Sequence, residues 1–279
     1  MSCATRVVPR RIVLAARRRA LEGLYQRYNR REFVHPDPLE FLYRYDDPRD
    51  REIAALVASG LAYGRVRQIL KSVESVLERM PEPARFLRKA TAKGLEKTFE
   101  GFKHRFTTGE ELAGMLTGAK LAIEAHGSLE ACFRSAIRED DEDVRRALES
   151  FAATLNIHCD GEGTTLVPRP GAGSACKRLN LYLRWMVRKD EVDPGGWEGV
   201  PKEKLVVPLD THMFRICRAL GMTGRRQGDM TTALEITAAF RRIAPEDPVK
   251  YDFALTRLGI RSECDLAGFL AECAAGEGE

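Results

Sequence analysis

The residues best suited to chemistry are a lysine and an aspartate, each near the predicted start of a helix. Lys177 follows two glycines, Gly171 and Gly173, and falls in the first turn of a helix predicted over residues 175–188. The helix dipole disfavours an ammonium there and favours the neutral amine that a nucleophile needs. The neighbouring Arg178 acts in the same direction. An ordinary surface lysine is the alternative interpretation.

Asp210 precedes a second helix, predicted over residues 211–220. We expect the aspartate to cap that helix by accepting the amide of His212 or Met213. A capping carboxylate stays ionised and fixed in position, which suits stabilising a developing positive charge. The sequence therefore offers an amine and a carboxylate that could work together if the fold brings them into one cleft.

The glycine-rich turn before Lys177 could hold a phosphate. Glycines let a backbone approach an anion closely, and free amides at a helix start favour negative charge. Gly171, Gly173 and Ser174 are the candidates. A glycine turn before a helix is more often only a turn, so this signal is weak by itself.

The segment around Asp210 resembles a motif of the helix-hairpin-helix DNA glycosylases. Residues 209–216 read Leu-Asp-Thr-His-Met-Phe-Arg-Ile, similar to the V-D-T-H-x-x-R-V segment whose aspartate is catalytic in that superfamily. Residues 171–177 resemble the hairpin and its catalytic lysine. About residues 20–265 are similar to an uncharacterised bacterial family identified as a member of this superfamily, through segments 58–65, 173–190 and 247–259.

Departures from the superfamily pattern limit the analogy to part of the superfamily. Ala175 stands where the common hairpin has its lysine, and Lys177 comes two residues later. The separation of Lys177 from Asp210 exceeds that of compact members and is similar to that of the archaeal 8-oxoguanine glycosylases. Only Cys264 and Cys273 lie near the C-terminus, so we expect no four-cysteine iron–sulfur cluster. The resemblance allows a structural monovalent cation on the hairpin carbonyls and implies no other cofactor.

The resemblance implies a DNA glycosylase with AP-lyase activity on duplex DNA carrying a damaged base, by analogy an oxidised purine. Lys177 would attack C1′ and Asp210 would stabilise the sugar cation. The implied DNA-binding residues are Gly171, Gly173, Ser174, Arg178, Arg184, His212, Tyr63 and Arg65. The last two lie where the superfamily often places groups that fill the gap left by a flipped base. Asp193 and Trp197 would line the base pocket. A core role for Trp197 and Tyr63 and a surface role for Arg65 are the alternatives.

The elements that must position these residues are helices. Apolar side chains recur at helical spacing, and no convincing strand run or internal repeat is found. Predicted helices cover residues 53–61, 69–80, 112–123, 129–136, 144–155, 175–188, 211–220, 231–243 and 248–258. The fold class is therefore all-α, and the resemblance implies two lobes. We expect a basic N-terminal helix and lead-in at 1–50, a helical lobe at 51–165, a hairpin and catalytic lobe at 166–265 and a tail at 266–279.

Composition is compatible with a nucleic-acid partner without requiring one. Lysine and arginine outnumber acidic residues by 45 to 41, giving a net charge of +4. Residues 1–31 carry nine arginines and one acid, whereas residues 139–143 are all acidic and should repel DNA. No apolar run reaches the roughly 20 residues of a membrane span, and the seven scattered cysteines suggest a reducing compartment. We expect a cytoplasmic, nucleoid-associated monomer.

Two other functions compete with the glycosylase. A DNA- or RNA-binding protein could keep the fold without the chemistry, and the displaced lysine and the acidic run favour it. A metal enzyme is a weaker alternative because the spacing of its candidate ligands is poor: His158, Cys159, Cys176, His212 and Cys217. The first two hypotheses differ on whether Lys177 and Asp210 face one cleft.

Overall fold

The computed structural model describes residues 10–158, 164–260 and 266–274. As predicted, the described chain is almost entirely helical. Its α-helices are α1 (Arg10–Tyr28), α2 (Pro48–Gly60), α3 (Val66–Leu77), α4 (Pro83–Lys89), α5 (Ala92–Thr98), α6 (Gly109–His126), α7 (Leu129–Arg134), α8 (Arg145–Leu155), α9 (Lys177–Val187), α10 (Thr211–Ala219), α11 (Met230–Arg241), α12 (Asp252–Ile260) and α13 (Leu266–Ala274). Short 3-10 helices cover Arg31–Phe33, Pro38–Arg44, Pro170–Ala172 and Lys202–Lys204.

Helix starts follow the local sequence. Asp47 caps α2 through the Arg49 amide, and Pro48 occupies the first helical position, where its missing N–H costs nothing. Thr108 and Glu111 form a reciprocal capping box at the start of α6. Helices α4 and α5, which periodicity does not predict, have seven residues each. A segment that short shows too few turns to reveal an amphipathic pattern.

One contiguous cluster of buried apolar side chains runs from Leu21 in α1 to Cys273 in α13. Helix α2 lies at its centre, packed against α9 and the 38–44 segment, and is buried continuously from Glu52 to Gly60. The segment 266–279, expected as a tail, contains α13, which packs against α1. The predicted domain boundaries coincide with no break in this cluster among the described residues, and they stay predictions.

A small β-hairpin is the one element of another type in the described part of the chain. Strands β1 (Lys103–His104) and β2 (Thr107–Thr108) pair antiparallel, and Arg105 and Phe106 form the turn. The expectation of no strand is therefore corrected, because two-residue strands carry no alternating pattern. In the described chain no helix combines the length and apolar character needed to cross a membrane.

Candidate functional site

A cleft of about 1130 Å³ contains both predicted catalytic residues. Lys177 opens α9 and Asp210 caps α10, so the N-terminal ends of two helices face the same space. The start of α3, the Pro38 segment and α12 complete the walls. Two helix N-termini direct positive dipole ends into one cleft, which favours an anionic ligand there.

Lys177 is half-buried and is the first residue of α9. The preceding Cys176 is a non-glycine residue with a φ of 47°, a left-handed conformation that costs free energy and is often found at functional sites. Its thiol donates to the Pro168 carbonyl, and burial raises the pKa of Cys176 to about 11. The thiol is therefore neutral near pH 7, which leaves the amine of Lys177 as the candidate nucleophile at this end of the helix.

Asp210 is held by the cap that the sequence predicts. Its Oδ1 accepts the Met213 amide at 2.8 Å, which fixes the carboxylate at the cleft wall. Within the described residues Lys177 and Asp210 form no ion pair at 4.0 Å or less. The two groups thus line one cleft without being paired with each other.

A second carboxylate, Asp252, also lines the cleft and was not predicted from the sequence. Its side chain is 2% exposed, and Oδ2 accepts a hydrogen bond from Arg184. Its Oδ1 is buried and has no hydrogen-bond partner in the described part of the chain. Burial raises the pKa of Asp252; the Arg184 charge lowers it, Asp210 raises it and Lys177 lowers it. No spacing in the sequence relates Asp252 to the other two residues.

The cleft also holds cations, of which Arg178 is the best ordered. Its guanidinium donates to the Gly60 carbonyl at 2.9 Å and to the Thr165 carbonyl, and lies 4.8 Å from the centre of the Tyr63 ring. Carbonyls and a ring orient this charge without neutralising it. His212 lies exposed at the same cleft. A positive, oriented group at the wall suits a phosphate.

The glycine-rich turn is satisfied within the chain. The Gly171 amide donates to Glu149 Oε2 at 2.7 Å, and the Gly173 amide donates to the Pro170 carbonyl at 3.0 Å. Ser174 Oγ accepts the Cys176 amide at 3.1 Å. The expectation of an amide free to hold a phosphate is corrected for Gly171, because a carboxylate of α8 already occupies it.

Arg184, expected at the DNA, and Asp193, expected in the base pocket, are buried instead. Arg184 is 3% exposed and pairs with Asp193 and Asp252, because a buried guanidinium requires carboxylate partners. Asp193 is fully buried between Arg184 and Arg188. Burial raises its pKa to about 6, although both guanidiniums oppose the rise. The expectations of DNA contact by Arg184 and of a base pocket at Asp193 are therefore corrected.

Trp197 takes the core role that the sequence left as the alternative. It is 2% exposed, its ring packs against Tyr182 and Phe133, and its Nε1 donates to Glu52 Oε2 at 2.9 Å. Trp197 does not line the cleft, which corrects its assignment to a base pocket. The 190–202 turn folds back onto the core because this indole and Asp193 have partners there.

Tyr63 and Arg65, both expected to fill the gap left by a flipped base, do not lie together in the cleft. Tyr63 lines the cleft, and its hydroxyl donates to the His104 carbonyl in the β-hairpin. Arg65 is exposed at the start of α3, outside the lining. Among the described residues no group of three His, Cys, Asp or Glu could hold a metal ion, and Cys159 and Cys264 lie outside those residues.

Comparison with known proteins gives one result. Residues 37–261 match the model of a family described as "Protein of unknown function (DUF2400)". No curated protein and no solved structure matches the chain. The matched range includes every residue that lines the cleft except Pro36.

Proposed function

The chain belongs to the DUF2400 family, whose description assigns no function, and we propose that it is a DNA glycosylase with AP-lyase activity. The observation that carries this proposal is the single cleft shared by Lys177 and Asp210. The substrate would be duplex DNA with a damaged base, and an oxidised purine is the analogy offered by the sequence. Such a base must leave the stack before its sugar can enter a cleft.

The chemistry assigns one step to each residue. The Lys177 amine attacks C1′, the glycosidic bond breaks and the base leaves with the bonding electron pair and a proton. Asp210, fixed by its cap, stabilises the positive sugar in the transition state, accepts a proton from the attacking amine and passes that proton to the departing base. Opening of the sugar ring gives an imine on Lys177. Loss of a C2′ proton then expels the 3′ phosphate and cuts the strand.

The electrostatics of the cleft favour a nucleic acid. Arg178 and His212 lie at its wall, and both helix N-termini point into it. Phosphates are the anions that such a combination binds best in an extended ligand. The acidic loop at 139–143 lies against the Gly171 turn, not in the lining of this cleft, so its repulsion acts at the edge of a bound duplex.

Borohydride trapping tests the proposal. The protein is mixed with duplexes that carry 8-oxoguanine, uracil or an abasic site, and reduction freezes any imine as a covalent band. We expect a band with a damaged base that Lys177→Ala abolishes and that Lys202→Ala, an exposed lysine outside the cleft, retains. A band in Lys177→Ala would overturn the assignment of the nucleophile.

Asp210→Asn separates charge from capping in the same assay. Asparagine caps a helix about as well as aspartate, so this variant should keep its melting temperature and lose base release by about 100-fold or more. Asp210→Ala should lose the same activity and about 1 kcal/mol of stability as well. Full activity in Asp210→Asn would contradict a role for the carboxylate charge.

A nucleic-acid-binding protein without catalysis is the alternative. The displaced lysine favours it, since Ala175 holds the position of the usual nucleophile. The alternative predicts DNA binding with no trapped band and no base released from any of the three duplexes. Direct assay of base release distinguishes it from a glycosylase that uses water instead of Lys177.

A further inference from the structure

The tip of the β-hairpin carries the most exposed large apolar side chain of the described chain. Phe106 is 72% exposed, while the flanking His104 and Thr107 are fully buried. Phe106 and Arg105 together make the two-residue turn between β1 and β2. A single exposed apolar side chain is common on protein surfaces, so the meaning of Phe106 depends on where the hairpin holds it and on what lies beside it.

The base of this hairpin is fixed to the cleft wall by hydrogen bonds. The Tyr63 hydroxyl donates to the His104 carbonyl and lies 2.8 Å from Thr107 Oγ1. The His104 ring bonds to Ser72 Oγ of α3 at 2.9 Å and to the Tyr63 carbonyl at 3.0 Å. Both strands are therefore tied to residues at the edge of the cleft, which leaves only the tip projecting.

The tip lies beside the cleft and is rimmed by positive charge. Tyr63, Gly64 and Val66 line the cleft that holds Lys177. The Arg105 guanidinium lies 5.6 Å from the centre of the Phe106 ring and 6.0 Å from that of Tyr63. Arg105 is exposed beside the ring. Lys103 is exposed in β1, and Arg65 and Arg67 are exposed at the start of α3, the helix that packs against β1. An apolar tip within a basic rim is complementary to a base stack between two phosphate backbones.

We propose that Phe106 inserts into the base stack of duplex DNA beside the nucleotide that enters the cleft, with Arg105 on a flanking phosphate. This inference rests on the proposed DNA substrate and replaces Tyr63 and Arg65 as the groups that fill the gap. Tyr63 becomes a positioning residue, because its hydroxyl holds the hairpin. A wedge of this kind lowers the cost of extruding a nucleotide, since the ring replaces part of the lost stacking.

A fluorescent duplex tests the wedge. The duplex carries an uncleavable abasic analogue with 2-aminopurine as its neighbour, whose fluorescence rises when stacking is lost. We expect wild-type protein to raise the fluorescence at saturation and Phe106→Ala to abolish the rise, with binding weaker by about 5- to 100-fold. Phe106→Trp should restore both. Leu121→Ala, another exposed apolar residue away from the cleft, is the matched control and should behave as wild type.

Activity on two substrates separates this inference from the proposed function. Phe106→Ala should slow processing of a damaged base in a duplex while leaving processing of an abasic site in a single strand unchanged. Equal fluorescence and equal affinity for wild type and Phe106→Ala would overturn the wedge, as would a Phe106-dependent self-association with an unchanged DNA response. A Phe106-dependent rise without any lysine trapping would retain the wedge and overturn the glycosylase.

Discussion

At the scale of single residues, the cleft contains side chains that other groups hold in place, together with Lys177. Asp210 and Arg178 are held in place by backbone groups, and Asp252 is held by Arg184. Lys177 is the half-buried cation opposite them, and its charge lowers the pKa of Asp252. For the proposed nucleophile, these fixed charges set the environment before a substrate arrives, which is the condition for electrostatic preorganisation.

The buried carboxylate Glu52 gives a prediction about Trp197. Trp197→Phe removes the indole donor to Glu52, whose pKa burial already raises, and should cost about 1–3 kcal/mol of unfolding free energy. Trp185→Phe is the matched control, because the buried Trp185 Nε1 has no hydrogen-bond partner among the described residues. Equal losses in urea unfolding would contradict the role of the Trp197 bond. Borohydride trapping should be unchanged in Trp197→Phe.

The local sequence correctly predicted the capping role of Asp210. The DNA contact predicted for Arg184 and the base-pocket positions predicted for Asp193 and Trp197 were wrong. A cap depends on residues three positions away, so it can be predicted from sequence. Arg184 and Trp197 have partners far along the chain, Asp252 and Glu52. Asp193 meets Arg184 and Arg188 because the turn after α9 folds back onto that helix. Nothing in a pattern of neighbours reveals such pairing, and a lone arginine or tryptophan near a catalytic motif then resembles a ligand-binding residue.

At the scale of elements, long helices followed from periodicity and the hairpin did not. Helices α8, α9 and α10 begin and end within two residues of their predicted bounds. The hairpin is defined by the burial of His104 and Thr107 under Tyr63, a contact across more than forty residues. Its existence therefore depends on tertiary contacts rather than on strand propensity.

His104 should make the hairpin sensitive to acid. Burial lowers the pKa of this imidazole below its ordinary 6.5, its bonds to backbone carbonyls oppose the shift, and the Arg105 and Arg178 charges reinforce it. Below about pH 6.5 the unfolded chain takes up a proton that the folded chain does not, so stability present above that pH is lost as pH falls through the lowered pKa.

The measurement is the melting temperature at about pH 7.5 and about pH 5.5. Wild type should lose more on acidification than His104→Gln, which has no titrating ring. Equal losses in the two proteins would show that His104 does not contribute. In the fluorescent duplex the rise that depends on Phe106 should weaken only where pH falls below the lowered pKa, because above it the folded chain keeps His104 neutral and the hairpin keeps its anchor.

At the scale of the whole molecule, buried ion pairs connect distant parts of the chain. Arg188 of the α9 C-terminus pairs with Asp190 at 2.8 Å, with Asp247 at 2.9 Å and with Asp193. The Tyr25 hydroxyl of α1 donates to Asp190. The N-terminal helix, the turn after α9 and the lead-in to α12 therefore share one set of charges.

Removal of one cation from this set should destabilise the entire fold. Arg188→Met leaves Asp247 without its ion-pair partner and Asp193 with Arg184 alone, and should cost about 3–5 kcal/mol, a fall in melting temperature of about 6–20 °C. Arg145→Met breaks only the exposed pair with Asp143 and should cost less than about 1 kcal/mol. Similar losses in thermal unfolding would contradict the distinction between buried and exposed pairs.

The carboxylate of Glu149 on the Gly171 amide has a consequence for affinity. A phosphate that used this amide would have to displace an anion already there, so contact at the turn would be an exchange of one negative group for another. The free energy gained would be the difference between two similar hydrogen bonds, and the released carboxylate would then lie beside the incoming phosphate and repel it. The turn would thus add little to the binding free energy, and would mainly discriminate against a nucleic-acid backbone whose phosphate contacts are weak or out of position.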